Sequence, residues 1–126
     1  MGNSYKAAFL IPKSSKKILD DSGWLFKSKK RLSADVLDIL KKVYFLSEKG
    51  KYLGVVEYVG DGLKVVVSYD GAGLIESIFI QLHTRDSGEL KKVLLEVGLK
   101  DVELFLPEEY MEKKCIHLLT PSLEIR

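Results

Sequence analysis

Apolar and polar residues alternate twice in the middle of the chain, in LKVVVSY (Leu63–Tyr69) and again in LIESIFIQLHT (Leu74–Thr84), with Asp70-Gly71-Ala72-Gly73 between. A period of two marks a strand with one covered face, and a short Gly-rich gap joins two such strands antiparallel. Tyr52–Val59, followed by Gly60-Asp61-Gly62, extends the pattern upstream, so the sequence predicts a three-stranded meander. In its third strand Ile78, Ile80 and Leu82 share one face, while Phe79, Gln81, His83 and Arg85 share the other, wetter one.

Two stretches follow a helical period instead. Val36, Leu37, Leu40, Val43 and Tyr44 recur at helical spacing up to about Leu46. Ser33 stands as N-cap and Leu32 is placed to staple against Leu37; Lys41, Lys42 and Lys49 suit the far end, and Gly50 is the expected stop. The second helix opens at Asp86, with Glu89 three residues on, carries Leu90, Val93, Leu94 and Val97 as one stripe, and ends at Gly98. Tyr5–Ile11 predicts a first strand closed by Pro12, PKSSKKILDDSG a polar connecting loop with room for one helical turn, and GWLF a second short strand. Downstream, Val102, Leu104 and Leu106 alternate as a strand, Pro107 opens a short helix with Glu108 and Glu109 in its first turn and Lys113 and Lys114 at its end, and CIHLL reads as a last strand.

These elements predict an α+β domain: a single mainly antiparallel sheet of about four to six strands with the two longer helices on one face. Ile78, Ile80, Leu82, Leu90, Val93, Leu94 and Leu104 are expected to meet in one core. The other face is expected to show Phe79, Gln81, His83, Arg85 and Phe105.

Composition narrows the class. The 126 residues match one domain spanning 1–126, and 46% apolar with 30% charged residues is the balance of a packed globular chain. A single cysteine, Cys115, forms no internal disulfide, which predicts a reducing, cytoplasmic setting. The first residues hold only a short apolar run, and Lys6 stands where a myristoylation signal needs Ser or Thr, so no membrane partner is expected. The net charge of +2 conceals an asymmetry: residues 1–51 hold 12 Lys or Arg against 5 Asp or Glu, and the remainder 8 against 13. Such a split fits a nucleic-acid or acidic-protein partner, and equally a lysine-solubilised surface.

Catalytic chemistry finds few carriers. His83 and His117 are the only imidazoles, and a pair of imidazoles serves as base and acid in RNA cleavage only when brought together. Cys115 and His117 share a face of the expected last strand, where filling space is the commoner role. One Cys and two His are too few for a closed zinc site. Gly60-Asp61-Gly62 and Asp70–Gly73 open no helix and read as hairpin turns, and no GxGxxG, Walker, Gly-x-Ser-x-Gly or HExxH motif occurs. The sequence therefore predicts no enzyme, no cofactor and no metal.

Two binding patterns remain. FKSKKRLS (Phe26–Ser33) sets Lys27, Lys29, Lys30 and Arg31 beside an aromatic ring, a grip suited to phosphates. KYLGVVEY (Lys51–Tyr58) resembles the longer signature of RNA-recognition-motif proteins at Lys51, Gly54, Val56 and Tyr58, and departs from it at Leu53 and Val55, where that family carries base-stacking aromatics. The segment from Leu74 to Glu124, with LHTRDSGELKKVLLEVGLKDVELFLPEE and the ending TPSLEI, resembles the C-terminal part of small cytoplasmic immunity proteins of bacterial polymorphic toxin systems. That resemblance implies a non-enzymatic domain that binds and neutralises a cognate toxin, although many such proteins that oppose nucleases are acidic and this chain is not. Protein binding through Phe79, Gln81, His83, Arg85 and Phe105 is the leading expectation, and RNA or DNA binding through Lys27, Lys29, Lys30 and Arg31 the alternative.

Overall fold

The computed structural model describes residues 5–98 and 101–110. Its elements in chain order are β1 (Lys6–Pro12), β2 (Lys16–Asp20), β3 (Gly23–Lys27), α1 (Ala34–Tyr44), β4 (Ser47–Tyr52), β5 (Val55–Gly60), β6 (Leu63–Tyr69), β7 (Ile75–Leu82), α2 (Ser87–Val97) and β8 (Val102–Phe105). Six strands form one sheet in the order β4-β5-β6-β7-β1-β8, with every ladder antiparallel, and β2 pairs with β3 as a separate hairpin. β7 and β8 both flank β1, so α2 carries the chain over the first strand. The expected CIHLL strand, with Cys115 and His117, and the helix end at Lys113 and Lys114 lie outside the described residues, as does the side chain of Val97.

The predicted alternation holds the core together. Ile78, Ile80 and Leu82 of β7 join Ala8 and Leu10 of β1, Leu63, Val65 and Val67 of β6, and Val56 and Tyr58 of β5 in one buried cluster. Val36, Leu37, Leu40 and Tyr44 of α1 and Leu90 of α2 belong to the same cluster, so both helices pack on that sheet face. Leu94 and Leu104 lie partly buried against it, and Val93 is only half-buried. Among the described residues no helix is long and apolar enough to cross a membrane.

Three local expectations are corrected. The polar stretch 13–22 is a strand and a turn rather than a loop, because β2 finds in β3 a partner residue for residue, from Lys16 opposite Lys27 to Asp20 opposite Gly23. The first helix stops at Tyr44 rather than running to Gly50. Phe45 takes a left-handed conformation and the Leu46 amide returns to the Lys41 carbonyl (3.2 Å), which reverses the chain into β4. The expected strand Tyr52–Val59 is broken by a turn at Leu53-Gly54, so Lys51 and Tyr58 of the RNA-recognition-like stretch lie on different strands.

The two helix starts differ in kind. Ser33 Oγ accepts from the Asp35 amide at 3.2 Å, whereas the Asp86 side chain makes no capping hydrogen bond and only its backbone carbonyl accepts, from Glu89 and Leu90. Ser33→Ala is therefore expected to lower stability by about 1 kcal/mol, and Asp86→Ala to stay within about 0.5 kcal/mol of wild type, in urea melts at neutral pH. The capping role expected of Asp86 reduces to that of its carbonyl.

Candidate functional site: the partly open half of the sheet

Because side chains alternate along a strand, the face opposite the helices is made by Val55, Glu57 and Val59 of β5, Lys64, Val66 and Ser68 of β6, and Ser77, Phe79 and Gln81 of β7. Strand register sets them in rows. One runs Glu57, Val66, Phe79, Phe9, Phe105; the next runs Val59, Lys64, Gln81, Ala7; on the other side lie Tyr52, Val55, Ser68 and Ser77.

The β2–β3 hairpin divides this face in two. Phe26 packs on Phe9 (ring centroids 4.9 Å apart) and on Phe105 (5.5 Å), and Trp24 sets its ring edge-on to Phe105 at 4.8 Å. Tyr110, in the helical turn that Pro107 opens, closes over Trp24 at 5.6 Å. Lys17 of β2 pairs with Glu103 of β8 at 2.9 Å, tying the hairpin to the outer strand. Over β1 and β8 the face is thus a second, aromatic layer of packing; over β5, β6 and β7 its residues stay largely half-exposed.

The sequence-predicted site residues fall on both sides of that division. Phe79 sits at the boundary, stacked on Phe9 at 4.8 Å and half-exposed, and Gln81 lies beside it in the next row. His83, past the end of β7, is exposed and lies 5.6 Å from the Tyr5 ring. Phe105 is not on an open surface: it is 4% exposed, because the hairpin that the sequence disguised as a loop covers it. Arg85 does not share a face with Phe79. The bends at residues 83–85 swing it over the Tyr44 ring (5.6 Å), where it holds the Asp61 carbonyl and carboxylate at 2.8 Å each and reaches Glu89 at 3.4 Å. That clamp locks the β5–β6 turn to the start of α2. Gly62 completes it by leaving room for Thr84, since a Cβ at Gly62, where φ is +80°, would run into the Thr84 side chain.

The basic run is partly spent on the fold. Arg31 Nε donates to Asp70 Oδ2 at 2.8 Å and Nη2 lies 3.7 Å from Glu76, while Nη1 donates to the Ser28 and Lys30 carbonyls. Lys27, Lys29 and Lys30 remain exposed, and of these Lys27 alone lines, with Arg31, Ser28, Pro12, Ser15, Phe26 and Glu76, a recess of about 320 Å³. The Arg31 hydrogen bond first, and the Leu74 and Ala72 amides with it, hold the Asp70 carboxyl below the usual carboxylate range. A lowered folded-state value means that the stabilisation is present above the unfolded value near pH 4 and is lost as pH falls through the folded one. The stability gap between wild type and Asp70→Asn, measured by urea melts, is therefore expected to be constant above about pH 5 and to shrink steadily below pH 4.

The partly open half has a mixed character. Val55, Val59, Val66 and Phe79 are its apolar members, and Lys64 and Glu57 form an ion pair across adjacent strands. The Lys64 hydrogen bond holds the Glu57 carboxyl below its ordinary range, with Lys49 adding to the effect from β4. Val55, Glu57, Val59, Lys64 and Val66 were legible as site members from the same alternation that placed Phe79, since β5 and β6 carry the pattern as clearly as β7. Among the described residues no three His, Cys, Asp or Glu side chains are grouped so as to hold a metal ion. The arrangement is a sheet surface with apolar groups at its middle and charges beside them. No protein-family model, curated protein or solved structure matches the chain.

Proposed function

We propose that this chain is a non-enzymatic protein-binding domain that docks its partner on the β5–β6–β7 half of the sheet, and that the partner is a cognate toxin which it neutralises. The observation that carries the docking reading is the half-exposed pair Val66 and Phe79, in register on adjacent strands and flanked by the Lys64–Glu57 ion pair. Protein interfaces place apolar and aromatic anchors at the centre and satisfied charges at the rim. A sheet supplies such anchors with little ordering cost, because their backbone is already fixed on both sides. The toxin as partner rests on the resemblance of residues 74–124 to immunity proteins. Nucleic acid is the weaker reading, since Arg31, the best phosphate ligand of its run, is engaged by Asp70 and Glu76.

The test is capture on the immobilised chain from the lysate of its own host, with the recovered species purified and titrated at low and high salt. A protein that binds at both salt concentrations, and at least tenfold more weakly to Val66→Asp, supports the reading. Recovery of nucleic acid alone, released by salt and lost in a triple alanine variant of Lys27, Lys29 and Lys30, would replace it.

A further inference from the structure

The turn between β4 and β5 is built from a residue that does not suit it. Tyr52 pairs with Val55, so the loop is the two residues Leu53 and Gly54, and both have positive φ, +39° and +81°. This is the two-residue hairpin geometry in which Asn, Asp or Gly stands at the first position, because a branched apolar side chain strains the left-handed region. The chain uses Asp61-Gly62 for its next hairpin loop, yet carries a leucine here. Packing does not account for it: Leu53 is 88% exposed and Tyr52 73%. The whole of β4 is exposed, and the turn is held to the sheet by backbone alone, the Gly54 carbonyl accepting from the Tyr69 amide at 2.8 Å, while the Leu53 side chain stays in the open. Strain at an exposed position without a structural return is a pointer to function.

We propose that Leu53 is a specificity knob, inserting into an apolar pocket on the partner protein whose rim carries carboxylates. This inference rests on the protein-binding reading above. Three features give the partner its chemistry. The tip is apolar, with Leu53 leading and Tyr52 behind it. Lys49 and Lys51, both exposed on β4, flank it and call for acidic groups at the pocket edge. A recess of about 300 Å³ lined by Gly50, Lys51, Tyr52, Val55, Glu57 and Val66 runs from behind the tip onto the open half-sheet. One shaped partner can therefore grip the tip and cover Val66 together, whereas a lipid surface would meet only the tip.

Leu53→Asn separates knob from turn. Asparagine suits the left-handed first position, so this variant is expected to melt at the same temperature as wild type or higher, while binding the purified protein recovered by the wild-type chain at least tenfold more weakly. Leu53→Met, still apolar, is expected to bind within about threefold of wild type. Undiminished binding by Leu53→Asn would overturn the knob and leave the docking face standing, provided that Val66→Asp still binds weakly. Flotation of the wild-type chain with phosphatidylserine vesicles, abolished by Leu53→Asn and unaccompanied by any protein partner, would overturn it in favour of a membrane surface. Failure of the wild-type chain to recover any protein would overturn this inference together with the protein-binding reading.

Discussion

Leu10→Ala is expected to lower folding stability by about 2–5 kcal/mol. Leu10 is fully buried, on the strand that the sheet pairs on both sides: Ile78 of β7 opposes it on one edge and Leu104 of β8 on the other. Its side chain points into the cluster shared with α1 and α2. Truncation there removes apolar burial and leaves a cavity that ladders on both sides prevent from closing. Leu94→Ala, at the partly buried edge of the same cluster, is expected to cost clearly less. Urea melts of the two variants check the order, and a loss below about 0.5 kcal/mol for Leu10→Ala would take β1 out of the centre of the sheet.

Phe26→Ala is expected to cost about 2–4 kcal/mol and to release the β2–β3 hairpin from the sheet before the rest unfolds. Two strands of five residues do not hold together on their own in water. What keeps the hairpin in place is the aromatic packing of Phe26 on Phe9 and Phe105, joined by Trp24 on Phe105 and the Lys17–Glu103 pair. Removing the ring at the centre takes away its area together with its ring contacts. Trp24 is the only tryptophan of the chain, so its emission reports the hairpin alone. In Phe26→Ala the emission is expected to shift to the red at lower urea than the far-ultraviolet circular dichroism transition; coincident transitions with little loss of stability would contradict the account.

The hairpin also shows where sequence reasoning stops. β6 and β7 were legible because their covered faces repeat every second residue and Gly-containing turns bound them, and α1 was legible at its start because the Ser33 cap acts locally, on the Asp35 amide; the Leu32 amide instead donates to the Ile75 carbonyl at 2.9 Å. β2 carries Lys16, Lys17 and Asp20 around Ile18 and Leu19, a pattern too polar for a strand by itself. Its stability comes from the packing of its partner strand's Phe26 on Phe9 of β1 and on Phe105 of β8, the latter far away in the chain, which no local pattern reports. Phe105 followed as a consequence: its alternation was read correctly and its exposure was not, because exposure depended on the missing hairpin. Arg85 was placed on the Phe79 face by extending the period of β7 past Leu82, where the strand ends and bends turn the side chain towards Asp61 and Tyr44. The end of α1 was misjudged for a different reason. Phe45, not a glycine, takes the left-handed position, and the inward turn of Leu46 towards the core compensates.

Amide hydrogen exchange of the chain with and without the purified partner shows whether a protein covers the β5–β6–β7 half of the sheet. Added protection is expected in β5, β6 and β7 and in the Leu53-Gly54 turn, with exchange in residues 27–31 unchanged. Protection confined to residues 27–31, or spread over the hairpin and absent from β5 to β7, would contradict the proposed docking.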